Sequence, residues 1–220
     1  MKIIKVCGMR EAQNIQEVEA LGVNWMGFIF YPKSSRYVTE VPEYLPKHVR
    51  RIGVFVDATV EEIADKVIRF GLNGIQLHGH ESPSFCGSLP GKIGKIMYEK
   101  TGEARPLFLI KAFSIARGSD FDAVSQYDGT CQYYLFDTKC DTVGGSGRKF
   151  DWRLLNLYTG FAPFILSGGI DENSLEDIKS LCHPRWMGID LNSRFESAPA
   201  LKDTEKLKPF IDNFRKHIEL

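Results

Sequence analysis

Eight short runs of apolar residues, rich in β-branched and aromatic side chains, recur along the chain. They cover residues 3–6, 25–30, 51–56, 74–77, 107–112, 132–136, 161–166 and 185–189. Several runs are almost continuously apolar, as strands that are buried on both faces are. Segments with apolar residues at intervals of three and four follow the first, third and seventh runs and close the chain, which predicts helices there. Strands that alternate with helices predict a parallel sheet with right-handed crossovers.

Local residues at the ends of these segments agree with the predicted helices. Thr59 precedes the helix after the third run, and Glu61 and Glu62 stand just inside it, as is typical of a helix start. Gly22 and Gly71 stand where the first and third helices are expected to end. A further helix is predicted over residues 118–127.

Eight strand–helix units in 220 residues predict the α/β class and a (β/α)8 TIM barrel, with residues 1–220 forming a single domain. No linker, low-complexity tract or shift in composition marks a second domain. An open, doubly wound sheet is the alternative. Eight strands, and the lack of a dinucleotide-binding glycine pattern after Val6, count against that alternative.

Charge and cysteine content exclude several classes of protein. Lys and Arg together number 28, as do Asp and Glu, so the chain has no net charge and lacks the basic character of a nucleic-acid partner or a membrane-surface helix. We therefore expect neither nucleic acid nor membrane as a partner. The cysteines are odd in number and have no C-x-x-C spacing, which predicts reduced thiols and a cytoplasmic location.

The chemistry of such a barrel is expected at the carboxyl ends of its strands. Cys7 ends the first run and is followed by Gly8. A free thiol is more often a small buried apolar group, and it becomes a nucleophile or base only where its pKa is lowered. Lys5 lies on the same strand face and is a candidate for the positive charge that would lower the pKa of Cys7.

Asp137 ends the sixth run and precedes a glycine-rich loop at residues 141–148. The aspartate could be a helix cap or a surface charge, and the loop could be a plain connector. A strand-end carboxylate followed by such a loop nevertheless favours a catalytic group beside a loop that contacts a ligand.

Two small polar loops follow the seventh and eighth runs, where barrels often bind phosphate. Gly168 and Gly169 offer backbone N–H groups that no Cβ shields, and Asn192 and Ser193 stand in the second loop. The alternative is that both are tight turns. We therefore predict a phosphorylated small-molecule substrate.

The loop after the second run contains Arg36, which could grip a carboxylate or be a solvated surface charge. His78 and His80 flank Gly79 after the fourth run, and no further ligands with metal-site spacing accompany them. We expect His78 to line the pocket and predict no metal site.

Ten segments appear together in one order: KVCGMR at 5–10, GFIF at 27–30, SSRY at 34–37, GVFVD at 53–57, IQLHG at 75–79, LFDT at 135–138, GGSG at 144–147, FDW at 150–152, LSGGI at 166–170 and GIDLNS at 188–193. This ordered set spans nearly the whole chain and resembles the phosphoribosylanthranilate isomerase family of tryptophan biosynthesis. The resemblance implies the Amadori rearrangement of N-(5-phospho-β-D-ribosyl)anthranilate to 1-(2-carboxyphenylamino)-1-deoxy-D-ribulose 5-phosphate, the third step from chorismate.

The resemblance also implies roles for residues of this chain. Asp137 matches the family's general acid, Cys7 its general base, and Arg36 the residue that binds the anthranilate carboxylate. No cofactor is needed, because a Schiff base formed from the substrate is the electron sink. The other expected substrate contacts are Gln76, His78 and Asp190. The expected phosphate site comprises Gly145, Ser146, Gly168, Gly169, Asn192 and Ser193.

Two rival functions remain at this point. A related sugar-phosphate isomerase of the histidine pathway would have Asp in place of Cys7, and a metal-dependent epimerase would need converging His and Asp ligands. A barrel that binds a phosphorylated ligand without converting it is the second rival. Arg194, which stands where many relatives have glycine, either helps to bind the anion or points to solvent. We expect a monomer, with a homodimer as the alternative.

Overall fold

The protein folds into a closed barrel of eight parallel strands, paired in chain order with β8 returning to β1. The computed structural model describes residues 2–138 and 151–218. The strands are β1 Ile3–Cys7, β2 Trp25–Ile29, β3 Arg50–Phe55, β4 Gly74–Leu77, β5 Phe108–Ile115, β6 Tyr133–Thr138, β7 Phe164–Ser167 and β8 Trp186–Leu191. The predicted α/β class and TIM barrel are confirmed.

Helices pack around the outside of the barrel. They are α1 Ala12–Ala20, α2 Val60–Phe70, α3 Pro83–Thr101, α4 Phe121–Val124, α5 Leu175–Lys179 and α6 Thr204–Ile218. A small antiparallel pair, β9 Glu196–Ala198 and β10 Leu201–Lys202, follows β8. None of the helices in the described ranges has the length and apolar character that crossing a bilayer requires.

The connection between β2 and β3 departs from the predicted strand–helix repeat. Residues 30–49, all of which are described, contain turns and bends and no helix between β2 and β3. Pro32, Pro42 and Pro46 punctuate this segment, and each removes a backbone N–H that a helix would use. The chain therefore crosses from β2 to β3 as an extended loop, and this loop carries Arg36.

The predicted helix ends of α2 are confirmed. Thr59 caps the helix by accepting from the N–H of Glu62, whose carboxylate in turn accepts from the Thr59 N–H. Gly71 ends the helix in the left-handed conformation at φ 58°, and Gly22 after α1 has φ 72°. The helix predicted over residues 118–127 is one turn, α4, between two 3₁₀ turns.

The barrel interior changes from apolar to polar along the strands. At the amino-terminal end the rings of Trp25, Phe108 and Tyr133 pack with centroids 4.9–5.8 Å apart. Leu135 and Ile165 lie in the apolar interior cluster, and Asp137 and Ser167 follow two residues later on the same strands. Because side chains two apart on a strand share a face, Asp137 and Ser167 also face the interior, at its carboxyl-terminal end.

Candidate active site

A cavity of about 330 Å³ opens at the carboxyl-terminal end of the barrel. The cavity brings together residues from β1, β2, β3, β6, β7 and β8 and from the loops that follow β2, β4, β7 and β8. Of the residues predicted for the site, those that line it are Cys7, Arg36, His78, Asp137, Gly168, Gly169, Asp190, Asn192 and Ser193. Gly145 and Ser146 lie outside the described residues.

Cys7 is the last residue of β1 and is 3% exposed. Its register partner on β2 is Gly27, where a Cβ would come within 2.5 Å of the Cys7 Sγ. A glycine at this position is therefore what gives the thiol its space. Gly27 is also the first residue of the GFIF segment, so the sequence motif and the local packing point to the same position.

The charges around Cys7 do not have the predicted net effect. Burial raises the pKa of the Cys7 thiol, the charge of Lys5 lowers it, Asp190 raises it, and Lys202 lowers it. Desolvation and the nearby carboxylate together outweigh the two ammonium groups, so the pKa stands above its usual value. The expectation of a lowered pKa is therefore wrong for the ligand-free protein, although Lys5 does act in the predicted direction.

Lys5 is fully buried because its charge is paired. Its Nζ donates to Asp190 Oδ1 at 2.9 Å, and the two residues are register partners on β1 and β8. Burial alone would lower the pKa of Lys5, but Asp190 and Cys7 raise it above its ordinary value, so the ammonium stays charged. A cation and an anion thus stand side by side next to the thiol.

Asp137 lies on β6, close to His78, which follows β4 and also lines the cavity. His78 Nε2 is 3.7 Å from Asp137 Oδ2. Gln76 is buried beneath the histidine, with its Nε2 3.2 Å from His78 Nδ1, and it does not itself line the cavity. Among the described residues the Gln76 Oε1 atom is buried without a hydrogen-bond partner. The predicted contact of Gln76 with substrate stays a prediction, and the geometry favours an action through His78.

The loops after β7 and β8 form the other side of the cavity. Gly168 and Gly169 adopt φ values of 92° and 68°, a conformation that side chains rarely accept. Asn192, Ser193 and Arg194 follow β8 and line the cavity. Consecutive N–H groups of small residues in such loops suit a phosphate group.

Arg36 has a partner that the sequence did not suggest. Its Nε lies 2.9 Å from both carboxylate oxygens of Glu196, and its Nη2 donates to Glu196 Oε2 at 2.6 Å. Lys202 Nζ donates to the other oxygen, Oε1, at 2.5 Å and to Asn192 Oδ1 at 2.8 Å. Glu196 and Lys202 lie on β9 and β10, in a segment without strand or helix periodicity, so no sequence pattern indicated them.

A further buried ion pair supports the loop that carries His78. Lys111 Nζ lies 3.3 Å from Glu81 Oε2 and donates to Gly79 O at 2.8 Å. Glu81 accepts in turn from the Gly79 N–H. A lysine inside the apolar fifth run could have marked this pair in the sequence, as Lys5 does in the first run. Within residues 2–138 and 151–218, no three His, Cys, Asp or Glu side chains converge on a possible metal position.

The family profile described as N-(5′-phosphoribosyl)anthranilate (PRA) isomerase matches residues 4–213. The chain belongs to this family. It is 48% identical to the N-(5′-phosphoribosyl)anthranilate isomerase of Phocaeicola vulgatus over 217 residues, which cover 99% of this chain and 100% of that protein. The resemblance inferred from the ordered motifs, and with it the class of isomerase of tryptophan biosynthesis, is confirmed.

Solved structures of the family have the same fold. The phosphoribosylanthranilate isomerase of Thermotoga maritima is 32% identical with a TM-score of 0.76, and the match covers 98% of this chain and all of that one. Monomers generated from the dimeric T. maritima isomerase match with a TM-score of 0.77 at 28% identity and the same coverage. A further family member, in complex with reduced 1-(o-carboxyphenylamino)-1-deoxyribulose 5-phosphate, matches at 29% identity and a TM-score of 0.74, again over 98% of this chain and all of that one.

Proposed function

We propose that this protein catalyses the Amadori rearrangement of N-(5-phospho-β-D-ribosyl)anthranilate, with Cys7 as the general base and Asp137 as the general acid. The observation that supports this most is the single cavity that both side chains line, from β1 and β6. Family membership supplies the reaction, and the cavity supplies one group that can give a proton and one that can take a proton.

The reaction needs two proton transfers at different atoms of the ribose. Asp137 donates a proton to the ring oxygen, and the ring opens to a protonated Schiff base at C1′. Cys7 then removes the proton from C2′, and the electron pair moves into the Schiff base to give an enolamine. Tautomerisation of the enolamine yields the ketone, so substrate and product are isomers and no external oxidant or reductant takes part.

The charges around Cys7 determine when it can act as a base, because only the ionised thiol can accept a proton. Its pKa is raised in the ligand-free protein, so the thiol is protonated at rest. Lys5 and Lys202 supply the positive charge that a thiolate needs, and a neighbouring cation is the usual means of activating cysteine. We infer that the active fraction of the enzyme rises with pH until the thiol is ionised.

Substrate binding is assigned to two groups of residues around the cavity. Arg36 binds the anthranilate carboxylate, and the loops with Gly168, Gly169, Asn192 and Ser193 bind the phosphate, together with Gly145 and Ser146 of the family pattern. His78 and Asp190 also line the cavity. The complex of a family member with a reduced carboxyphenylamino-deoxyribulose phosphate supports a ligand with a carboxylate at one end and a phosphate at the other.

The test follows the fluorescence of the anthranilate group while the purified chain converts substrate generated in place, with a chelator present. Wild type is expected to show saturable decay. Cys7→Ala and Asp137→Asn are expected to lower kcat by about 10²–10⁴-fold, the usual contribution of a general acid or base. Cys86→Ala, which removes a buried thiol on α3 outside the cavity, is the matched control and is expected to keep the wild-type rate.

Two results would contradict the proposal. Wild-type rates in both variants would remove the assigned roles. No acceleration by the wild type would remove the reaction itself, and the aminoaldose substrate of the histidine pathway and simple binding of phosphorylated ligands would then be tested in turn.

We further propose that residues 1–220 act as one catalytic domain, as a monomer, in the cytoplasm. Among the described residues, groups for both proposed proton transfers line the cavity, and Cys7, Cys86, Cys131 and Cys182 form no disulfide, which is consistent with reducing conditions. Since a dimeric relative is known in T. maritima, sedimentation velocity at assay concentration distinguishes monomer from homodimer.

A further inference from the structure

Three charged side chains beside Cys7 form a cluster that the proposed reaction does not yet use in full. Glu196 is 4% exposed and Lys202 is fully buried, while Arg36 remains 22% exposed. Burying charged groups is costly unless each is paired, so a buried Lys–Glu pair at the rim of an active site needs a reason. Arg36 has an assigned partner in the substrate, whereas Glu196 and Lys202 have none.

The geometry of the cluster fixes which edge of Arg36 faces the cavity. Glu196 occupies the Nε and Nη2 atoms, and it accepts in addition from Lys202 Nζ and from the Ala200 N–H at 3.2 Å. Held by these donors, the carboxylate cannot rotate freely. Among the described residues Nη1 has no hydrogen-bond partner, which leaves that side of the guanidinium for a ligand.

The cluster also carries an unbalanced charge. Two cations share one carboxylate, so the group has a formal charge of +1, whereas the neighbouring pair of Lys5 and Asp190 is neutral. The cluster is close to Cys7 because Gly8 has no side chain. A Cβ at position 8 would lie 2.7 Å from Arg36 Cδ, 2.9 Å from Asn192 Oδ1 and 3.5 Å from Lys202 Nζ.

We propose that Glu196 and Lys202 are positioning residues, which hold Arg36 edge-on to the substrate carboxylate and set the net charge beside Cys7. This inference rests on the proposed role of Cys7 as the base. Glu196 touches neither Cys7 nor the reacting atoms, and it acts through Arg36. Lys202 keeps the carboxylate of Glu196 from cancelling the charge of Arg36.

Opposite substitutions should move Cys7 in opposite directions. Lys202→Met takes the cluster from +1 to neutral, which disfavours the thiolate, whereas Glu196→Gln takes it to +2, which favours the thiolate. The double variant returns the cluster to +1. The other charged or titratable side chains beside Cys7 or in its cavity are unchanged in all three variants; they are Lys5, Asp190, His78, Asp137 and Arg194.

The measurement is the rate of iodoacetamide alkylation at Cys7 as a function of pH, followed by mass spectrometry of the Cys7 peptide. We expect the midpoint of the profile to move up by about 1 pH unit in Lys202→Met and down by a similar amount in Glu196→Gln, since one close charge produces shifts of this size. The midpoint of the double variant is expected to differ from the wild-type midpoint by less than about half of that shift. Lys111→Met, which breaks a comparable buried Lys–Glu pair on β5, is the matched control and should leave the midpoint in place.

Midpoints that move in the same direction in both single variants, or that do not move, would overturn the proposal. A merely structural role of Glu196 and Lys202 does not predict opposite shifts in the two variants. If Lys202→Met does not fold, as judged by circular dichroism, the comparison of Glu196→Gln with the double variant still tests the same difference of one charge. In Glu196→Gln we also expect KM to rise more than kcat falls, because Arg36 loses its orientation. Because alkylation needs no substrate, this test remains valid even if the isomerase assay shows no activity.

Discussion

The position of Asp137 depends on a neighbour that has no side chain. Gly168 has φ 92°, and a Cβ there would come 2.3 Å from Thr138 O and 2.8 Å from Asp137 Oδ1. Gly169 has φ 68°, but a Cβ there would meet no atom within 4 Å. The two adjacent glycines therefore have different reasons for being glycine: Gly168 for backbone conformation and space, and Gly169 for conformation alone.

The substitution Gly168→Ala is expected to cost more stability than Gly169→Ala. Gly169→Ala adds only the left-handed backbone term of about 1 kcal/mol. Gly168→Ala adds overpacking against the β6 backbone, for a total of about 2–5 kcal/mol. Urea unfolding of both variants measures the difference. Equal losses would show that the loop moves away from β6 at little cost, and the reasoning about Asp137 would then fail.

Single residues also show where sequence reasoning stops. Cys7 and Asp137 could be predicted because each ends a strand, and strand ends converge in a barrel whatever the loops do. Glu196 could not, because its importance comes from Arg36, 160 positions away in the chain. The sign of the Cys7 pKa was missed for a related reason: the sequence suggested Lys5, but the depth of burial and Asp190 become visible only in the folded molecule.

At the scale of elements, the sequence predicts the positions of the strands more precisely than the structure of the connections between them. The predicted strands agree with the observed ones to within about three residues, because buried β-branched runs are hard to place anywhere else. The seventh run was predicted to start at Phe161, which is 76% exposed, and β7 begins at Phe164 instead, after Pro163. The proline-rich segment after β2 had no helical spacing, and the repeat alone suggested a helix there.

The capping box of α2 gives a prediction confined to one element. Thr59→Ala removes the hydroxyl that accepts from the Glu62 N–H, and the expected loss of stability is about 1 kcal/mol. Since Thr59 does not line the cavity, kcat and KM are expected to stay at wild-type values. Thr59→Ser keeps the acceptor and should keep most of the stability in urea unfolding. A serine variant as unstable as the alanine variant would show that the methyl group, and not the cap, matters.

For the whole molecule, the decisive contact is the one that closes the barrel. The pairing of β1 with β8 joins strands that are 185 residues apart at the Lys5–Asp190 hydrogen bond. This pair is buried, so its partners depend on each other far more than the partners of an exposed pair do. The same contact that closes the barrel also sets two of the charges next to Cys7.

Lys5→Met is expected to destabilise the protein by about 3–5 kcal/mol, because it leaves the buried Asp190 without its partner. The double variant Lys5→Met/Asp190→Asn should regain most of that loss. Lys208→Met breaks an exposed pair with Asp212 on α6 and is expected to cost less than about 1 kcal/mol. Urea unfolding of the three variants is the measurement, and a loss at Lys5 as small as that at Lys208 would contradict the argument.

The closing strand has a consequence for the order in which the protein becomes reactive during synthesis. Cys7 leaves the ribosome well before Asp190 and Lys202, which lie far later in the sequence. Until β8 and the β9–β10 pair have been made, the cysteine has neither its buried surroundings nor most of its charged neighbours. A prematurely terminated chain therefore contains the Cys7 thiol but not the cavity in which that thiol would meet a substrate.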